Sequence, residues 1–347
     1  MDAVTLQDVA RRAGVSVGTV ANVVRGYRHV SPAMRERVQA VVDELGYRPH
    51  RSARSLATGR SDMIGLAFPD LRRPYFAELA HVFAQVADER GYGLLISETG
   101  GTASGEGAVL SNREAGTVDG LIMHPQALTA GALDELRRTT PVVFLGEDPH
   151  PAAADQLAID NVSAADEATT HLVALGRTRI GFLGHEIERL SRTSSLRLEG
   201  YRQAIARAGL NADPSLLVST TVGDARGAEE GMERALDRGF DADALLCRDD
   251  LAAIGALRAL QRRGRAVPDD VAVIGWDAIG LGASTMPTLT SVAPDTRMLA
   301  ERALDMLLER LSGYDGPGRH LTIEHRILVR ESAPDPGPDY PVGAGPT

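Results

Sequence analysis

The sequence predicts a small all-α domain followed by a larger α/β domain built on parallel sheets. Three observations lead there. A chain of 347 residues is too long for one small core, and length alone makes about two domains. Residues 1–48 divide into short helical patterns bounded by capping residues, whereas from residue 62 onward short apolar runs alternate with amphipathic segments. The charge divides in the same place: ten arginines against five acids give residues 1–60 a charge of +5, which leaves about −15 for the rest of a chain whose total is −10.

In the first segment Thr5 caps a helix and Asp8 closes a capping box with it. Leu6, Val9, Ala10 and Ala13 make one apolar face, and Gly14 stands where a left-handed residue stops the helix. Ser16 caps a second helix with Val20, Val23 and Val24 inward, leaving Gly18, Asn22 and Arg25 outward and Val17 at its start. Ser31 caps a third helix, Pro32 suits its first position, and Met34, Val38, Val41, Val42 and Leu45 form its core stripe up to Gly46. Three short helices with a tight turn between the first two describe a helix-turn-helix unit. A basic head on an acidic body is the electrostatic footprint of a nucleic-acid-binding module.

Several chemistries are excluded. Residues 14–18 spell G-x-S-x-G, but a hydrolase elbow needs a strand before its serine, and here an amphipathic helix precedes it. Ser16 therefore reads as a helix cap, and the chain as no enzyme. All 37 basic residues are arginine, so no Walker-A loop and no Schiff-base lysine exist. Cys247 is the only cysteine, which rules out an internal disulfide and a Cys-rich zinc site. The glycines of "GWDAIGLG" are in the wrong order for a dinucleotide fingerprint, and no cofactor or metal is expected. No apolar run approaches the ~18 residues of a membrane span. The N-terminus lacks the apolar core of a secretion signal, so the cytoplasm is the expected location.

Farther along, "MIGLAF", "YGLLIS", "DGLIMH", "PVVFLG", "RIGFLG", "ADALLC" and "VAVIGW" are short buried-strand candidates. Amphipathic segments at 76–90, 164–175, 195–208 and 252–263 lie between them. Alternation of this kind makes α/β units, and so many strands favour two sheets.

The stretch "VTLQDVARRAGVSVGTVANVVRGYRHVSPAMRERVQAVVDELGYRPHRSARSLATGRS" resembles the headpiece and hinge of the lactose-repressor (LacI/GalR) family of bacterial transcription regulators. The likeness runs to about "ILVRES" at 327–332. It implies a helix-turn-helix headpiece over 1–48, a hinge helix over 49–61 and a two-lobed, periplasmic-binding-protein-like effector and dimerisation domain over 62–332. The implied first lobe is 62–160 with 293–318, the second 161–292 with 319–332, and the chain crosses near 160–163, 289–293 and 318–322. The Pro/Gly-rich residues 333–347 are expected to be disordered.

In that family the second helix lies in the major groove, which places Val17, Gly18 and Asn22 toward the bases. Where the family usually reads "TVSR", this chain has "TVAN"; asparagine can pair bidentately with adenine whereas arginine favours guanine. Thr5, Ser16, Thr19, Arg25, Arg28 and His29 complete the headpiece's expected DNA contacts, the last five of them through phosphates. Ala53, Arg54 and Leu56 match the hinge, Leu56 at the position of a minor-groove wedge.

For the ligand cleft the resemblance implicates Asp70, Tyr75 and Phe76 after the first strand, although Phe76 equally suits a core helix face. It adds Asp160 and Asn161 at a crossing, and Arg192, Thr193 and Arg197 in "RTSSLRLEGY". In "CRDDLAAIGAL" Asp249 replaces the usual asparagine and Asp250 keeps the acid, with structural salt bridges as the alternative for both. "IGWDAIG" contributes Trp276 and Asp277. The segment "TTVGDARG" lacks the aromatic of many sugar-responsive members, which weakens a carbohydrate effector without removing it. The implied function is a homodimeric repressor on operator DNA, controlling carbohydrate-related genes in response to a sugar or sugar derivative. The alternative, a transport solute-binding protein, leaves the basic headpiece without a purpose.

Overall fold

The computed structural model describes residues 4–24, 27, 29–47, 60–114, 116–147, 154–186, 191–220 and 223–337. The headpiece contains α1 (Leu6–Ala13), α2 (Val17–Val24) and α3 (Pro32–Leu45). They close on a small core of Val9, Ala10, Ala13, Val20, Val23, Val38 and Tyr47. Gly14 ends α1 at φ +65°, a left-handed conformation that favours glycine. Arg12 and Glu44, 2.5 Å apart, tie α1 to α3.

Two sheets form the body. The first contains β1 (Met63–Phe68), β2 (Gly93–Glu98), β3 (Gly120–Met123), β4 (Val142–Leu145), β5 (Asp155–Ile159) and β11 (His320–Ile323), all parallel, in the order β11-β5-β4-β3-β1-β2. The second contains β6 (Ile180–Glu186), β7 (Leu217–Thr220), β8 (Ala244–Cys247), β9 (Ala272–Trp276), β10 (Thr290–Pro294) and β12 (His325–Leu328), in the order β12-β10-β9-β8-β6-β7, with only β12 antiparallel. Helices α4 (Pro74–Glu89), α5 (Ala103–Glu114), α6 (Ala130–Thr139) and α11 (Thr296–Leu311) belong to the first lobe. Helices α7 (Asn161–Ala174), α8 (Arg192–Arg207), α9 (Ala225–Asp237) and α10 (Asp250–Arg262) belong to the second. Every residue of β3, β4, β8 and β9 is buried, because helices cover both faces of a parallel sheet and select continuous apolar runs.

The lobe boundaries differ from expectation at two of three crossings. The first falls at Asp160, as expected. The second falls at Asp295, after the whole of β10 has paired in the second sheet, not at 289–293. The third falls at Glu324, so β11 belongs to the first sheet and the second lobe's last segment starts at β12 rather than at 319. A single residue, Glu324, separates β11 from β12, so the chain passes from one sheet to the other with no intervening loop. Asp160 and Asp295 have the same backbone geometry (φ −73°, ψ 84° and φ −74°, ψ 84°), and each caps the helix that follows it. The Asp295 amide donates to the Glu324 carbonyl at 2.9 Å, which bonds the second crossing to the third.

Order also extends past residue 332. Ala333 is fully buried, and the His171 ring nitrogen lies 3.0 Å from the Pro334 carbonyl, so the tail's first residues are packed; 338–347 lie outside the described residues. Among the described residues no helix is long and apolar enough to cross a membrane.

One buried carboxylate joins three elements of the first lobe. Asp155 on β5 accepts two hydrogen bonds at 2.9 Å from Arg310 of α11 and is also held by the amide and guanidinium of Arg319 just before β11. Both guanidiniums lie over the Tyr314 ring. Burial works against the charge, but the arginines prevail and hold Asp155 down to about 2. Its folded pKa lies below the unfolded value, so the stabilisation is full above pH ~4 and is lost as pH falls toward 2. Asp155→Asn is expected to cost about 3 kcal/mol in urea unfolding at pH 7 and to flatten the acid limb; an unchanged midpoint would show the cluster to be idle.

Candidate functional sites: the second headpiece helix and the interlobe cleft

Ser16 receives the Thr19 amide at 3.0 Å, and the two hydroxyls bond each other at 2.9 Å, which makes Ser16 the cap of α2. Thr5 is likewise engaged in a capping box with Asp8. On the outward face of α2, Val17 is 42% exposed, Gly18 offers no side chain and Asn22 is half-exposed. His29 is exposed, with its ring edge-on to Tyr27. Arg25, Arg28, Ala53, Arg54 and Leu56 lie outside the described residues.

The body's cleft holds about 680 Å³ and lies between the lobes. Residues just past the carboxyl ends of β1, β3, β4, β8 and β9 line it, the place where open α/β sheets bind ligands. Arg197, on α8, is 6% exposed and sits at its centre. Nε donates to Asn161 Oδ1 at 2.7 Å, Nη1 donates to the Arg248 carbonyl, and the Trp276 ring lies 3.9 Å away as a cation–π partner. Its remaining nitrogen faces Asp277 Oδ1 at 3.9 Å, too far for a direct hydrogen bond.

Asp277 and Ala278 have φ of +94° and +51°, a conformation that side chains disfavour. Three successive amides hold it: Asp277 N to Val292 O, Ala278 N to Ser291 Oγ and Ile279 N to Asp250 Oδ2, at 2.8–3.0 Å. Ser291 also donates to Asp250 at 2.7 Å, and a Cβ at Gly275 would fall 2.1 Å from that carboxylate. Burial pushes Asp250 up to about 8 and Asp277 up to about 6, in the latter case against the pull of Arg197.

The cleft gathers Tyr75, Phe76, Arg192, Thr193, Arg197, Asp249 and Asp277 from the sequence-derived set, and Asn161 joins it through its bond to Arg197. Phe76 stacks on Phe68 in the core and also lines the cleft. Four residues stand elsewhere. Asp70 pairs with Arg72 in its own loop, and Asp160 is an exposed cap at the first crossing. Asp250 is spent on Ser291 and Ile279 beneath the 277–279 turn, and Trp276 is fully buried behind Arg197. Sequence reasoning missed Arg73, His124, Gln126, Glu147, Ser191 and Arg248. His124, Glu147 and Arg248 end or directly follow apolar strand runs, a positional signal that was present. Glu147 accepts from Asn161 and from Thr193 of the second lobe, both at 2.7 Å. Fully buried Glu106 accepts the amides of Gln126, Ala127 and Leu128 and so fixes the loop that presents Gln126.

A helix-turn-helix headpiece joined to a two-lobed body with a ligand cleft is the layout of a DNA-binding regulator. Residues 5–50 match the model of bacterial regulatory proteins of the lacI family, and residues 169–333 match a periplasmic binding protein-like domain. The chain is 33% identical over 344 residues to the HTH-type transcriptional regulator CelR of Thermobifida fusca, covering 94% of this chain and 98% of the relative. It is 32% identical to the ribose operon repressor of Escherichia coli, covering 95% and 99%. Among solved structures, the lac repressor dimer bound to operator and the anti-inducer ONPF aligns at a TM-score of 0.82 with 28% identity, covering 96% of this chain and all of that one. A CelR–cellobiose complex aligns at 0.69 with 29% identity, covering 95% and 99%. The chain belongs to the lacI family; it is a transcriptional regulator and not an enzyme.

Two outcomes test these sites. Unfolded Asp250 loses its proton near pH 4 and the folded residue near 8, so its contribution to stability declines as pH rises through that window. Asp250→Asn should flatten the decline by at least about 1 kcal/mol in denaturant titrations at pH 5 and 8; an unaltered slope would place the proton elsewhere. In the headpiece, Ser16→Ala should cost about 1 kcal/mol of local stability, read as faster amide exchange in α2.

Proposed function

We propose that this protein is a cytoplasmic, homodimeric repressor whose affinity for a palindromic operator changes when a sugar or sugar derivative enters the interlobe cleft. The observation that carries the effector reading is the Arg197–Asp277 geometry. A buried donor and a buried acceptor face each other 3.9 Å apart, outside hydrogen-bond range, at the centre of a polar cleft with Tyr75 and Phe76 on its wall. A ligand hydroxyl donates to one and accepts from the other, and aromatic faces suit the C–H surface of a sugar. The cellobiose complex of CelR supports a carbohydrate effector, and the ribose operon repressor supports control of carbohydrate genes.

The Asn22 side chain, with Val17 beside it, supports direct readout from the major groove, and the two-fold axis of a dimer sets the half-site spacing. A gel shift on the gene's own upstream DNA, across a panel of sugars and nucleobases, tests this reading. Binding should weaken steeply with salt, because phosphate contacts release counterions; a salt-insensitive shift would refute operator binding. Asp277→Asn should reduce the response to the active sugar by about tenfold or more while leaving ligand-free DNA binding intact. Asn22→Arg should move the operator preference from adenine toward guanine by about 1–3 kcal/mol at one position of each half-site, read by competition with base-substituted operators.

A further inference from the structure

We infer that Arg73 and Asp249 form a clasp that bridges the two lobes across the cleft and holds them together at that edge. Arg73 stands at the start of α4 in the first lobe, and Asp249 caps α10 in the second. Arg73 Nη2 donates to Asp249 Oδ2 at 2.5 Å. Arg248 reaches the same oxygen at 3.1 Å, and Asp249 Oδ1 accepts the Ala252 amide at 2.8 Å. Both carboxylate oxygens are therefore engaged. A ligand group that seeks Asp249 has to compete with two guanidiniums.

Residue chemistry makes this specific to the chain. The resemblance expects asparagine at 249, and an amide oxygen carries no charge with which to hold two arginines. The aspartate is only 4% exposed in its side chain, and although burial opposes its charge, Arg248 and Arg73 keep it below the usual carboxylate range. The low local polarity strengthens the attraction between the lobes. Arg73, Tyr75, Asp249 and Asp277 border both the cleft and a separate void of about 10 Å³, which is room for about one water.

A second bond crosses beside it: Glu78 of α4 accepts the Gly280 amide at 3.0 Å, one turn along the helix from Arg73. This amide follows the held 277–279 turn, so its protection reports whether the lobes stay together at this edge. The clasp operates whatever the effector is, and its test uses none.

Hydrogen exchange on the full-length protein measures it. Arg73→Gln removes the charge from the first lobe. Asp249→Asn removes it from the second and keeps a residue that caps α10 equally well. Each variant is expected to speed exchange in residues 277–284 by about tenfold or more, while buried β8 exchanges as in the unmodified protein. The double variant should add little to the larger single effect, because one interaction is lost once. Unchanged exchange in 277–284, or effects that add, would overturn the clasp. Faster exchange in β8 as well would overturn it too, by showing that these residues serve general stability instead.

Discussion

A buried guanidinium is the demand around which the cleft is organised. Arginine keeps its charge in any folded protein and presents five donors, so enclosing one obliges its neighbours to supply acceptors. For Arg197 those neighbours come from separate parts of the chain: Asn161 at the first crossing, the carbonyl at the end of β8, Asp277 at the end of β9 and the face of Trp276. Satisfying one side chain thus sets three strand ends relative to one another. The turn at Asp277 and Ala278, which costs backbone strain, is tolerated because Asp250, Ser291 and Val292 hold its amides. The groups that line the cleft are in this way held by the protein's own contacts.

Headpiece and body rest on different physics. The headpiece closes over a handful of small side chains, so caps and turns carry much of its stability. The body has large cores on both faces of its sheets. Where the body begins, Ser61 and Asp62 donate their amides to Asp119, and Arg60 donates to the Leu311 carbonyl. Movement of the first lobe is therefore passed to the chain that leads to the headpiece without slack at residues 60–62.

The headpiece was legible in the sequence because its signals are local. Thr5 with Asp8, Gly14, Ser16, Ser31 and Gly46 each act within a turn of where they stand, and each does what its spacing indicates. The fully buried β3, β4, β8 and β9 were legible as apolar runs, whereas β10, mostly buried but rich in Thr and Ser, was not. β5 and β7 were not, since only alternate residues are buried and no run forms. In the cleft, Tyr75, Thr193, Arg197 and Asp277 could be found by motif, but Asp70 and Asp160 could not be told from ligand-binding acids. An acid after a strand has the same local sequence whether it binds a ligand, pairs with Arg72 or caps a helix. Trp276 and Asp277 differ by one position, but the strand ends at Trp276 in the core, and the positive-φ turn that follows brings Asp277 to the cleft. Arg73 and Glu147 depend on partners in the other lobe, information that no local window contains.

The three crossings lie side by side. Ile159 pairs with Ile323 at the end of one sheet, Pro294 pairs with His325 at the start of the other, and Asp295 is bonded to Glu324 between them. Three adjacent strands of chain make a poor spring and a good door hinge: the lobes can turn about that line but can neither slide along it nor pull apart. Relative motion of the lobes about that line is a change of angle. Points beside the crossings scarcely travel, and the displacement felt anywhere in the body grows in proportion to its distance from them.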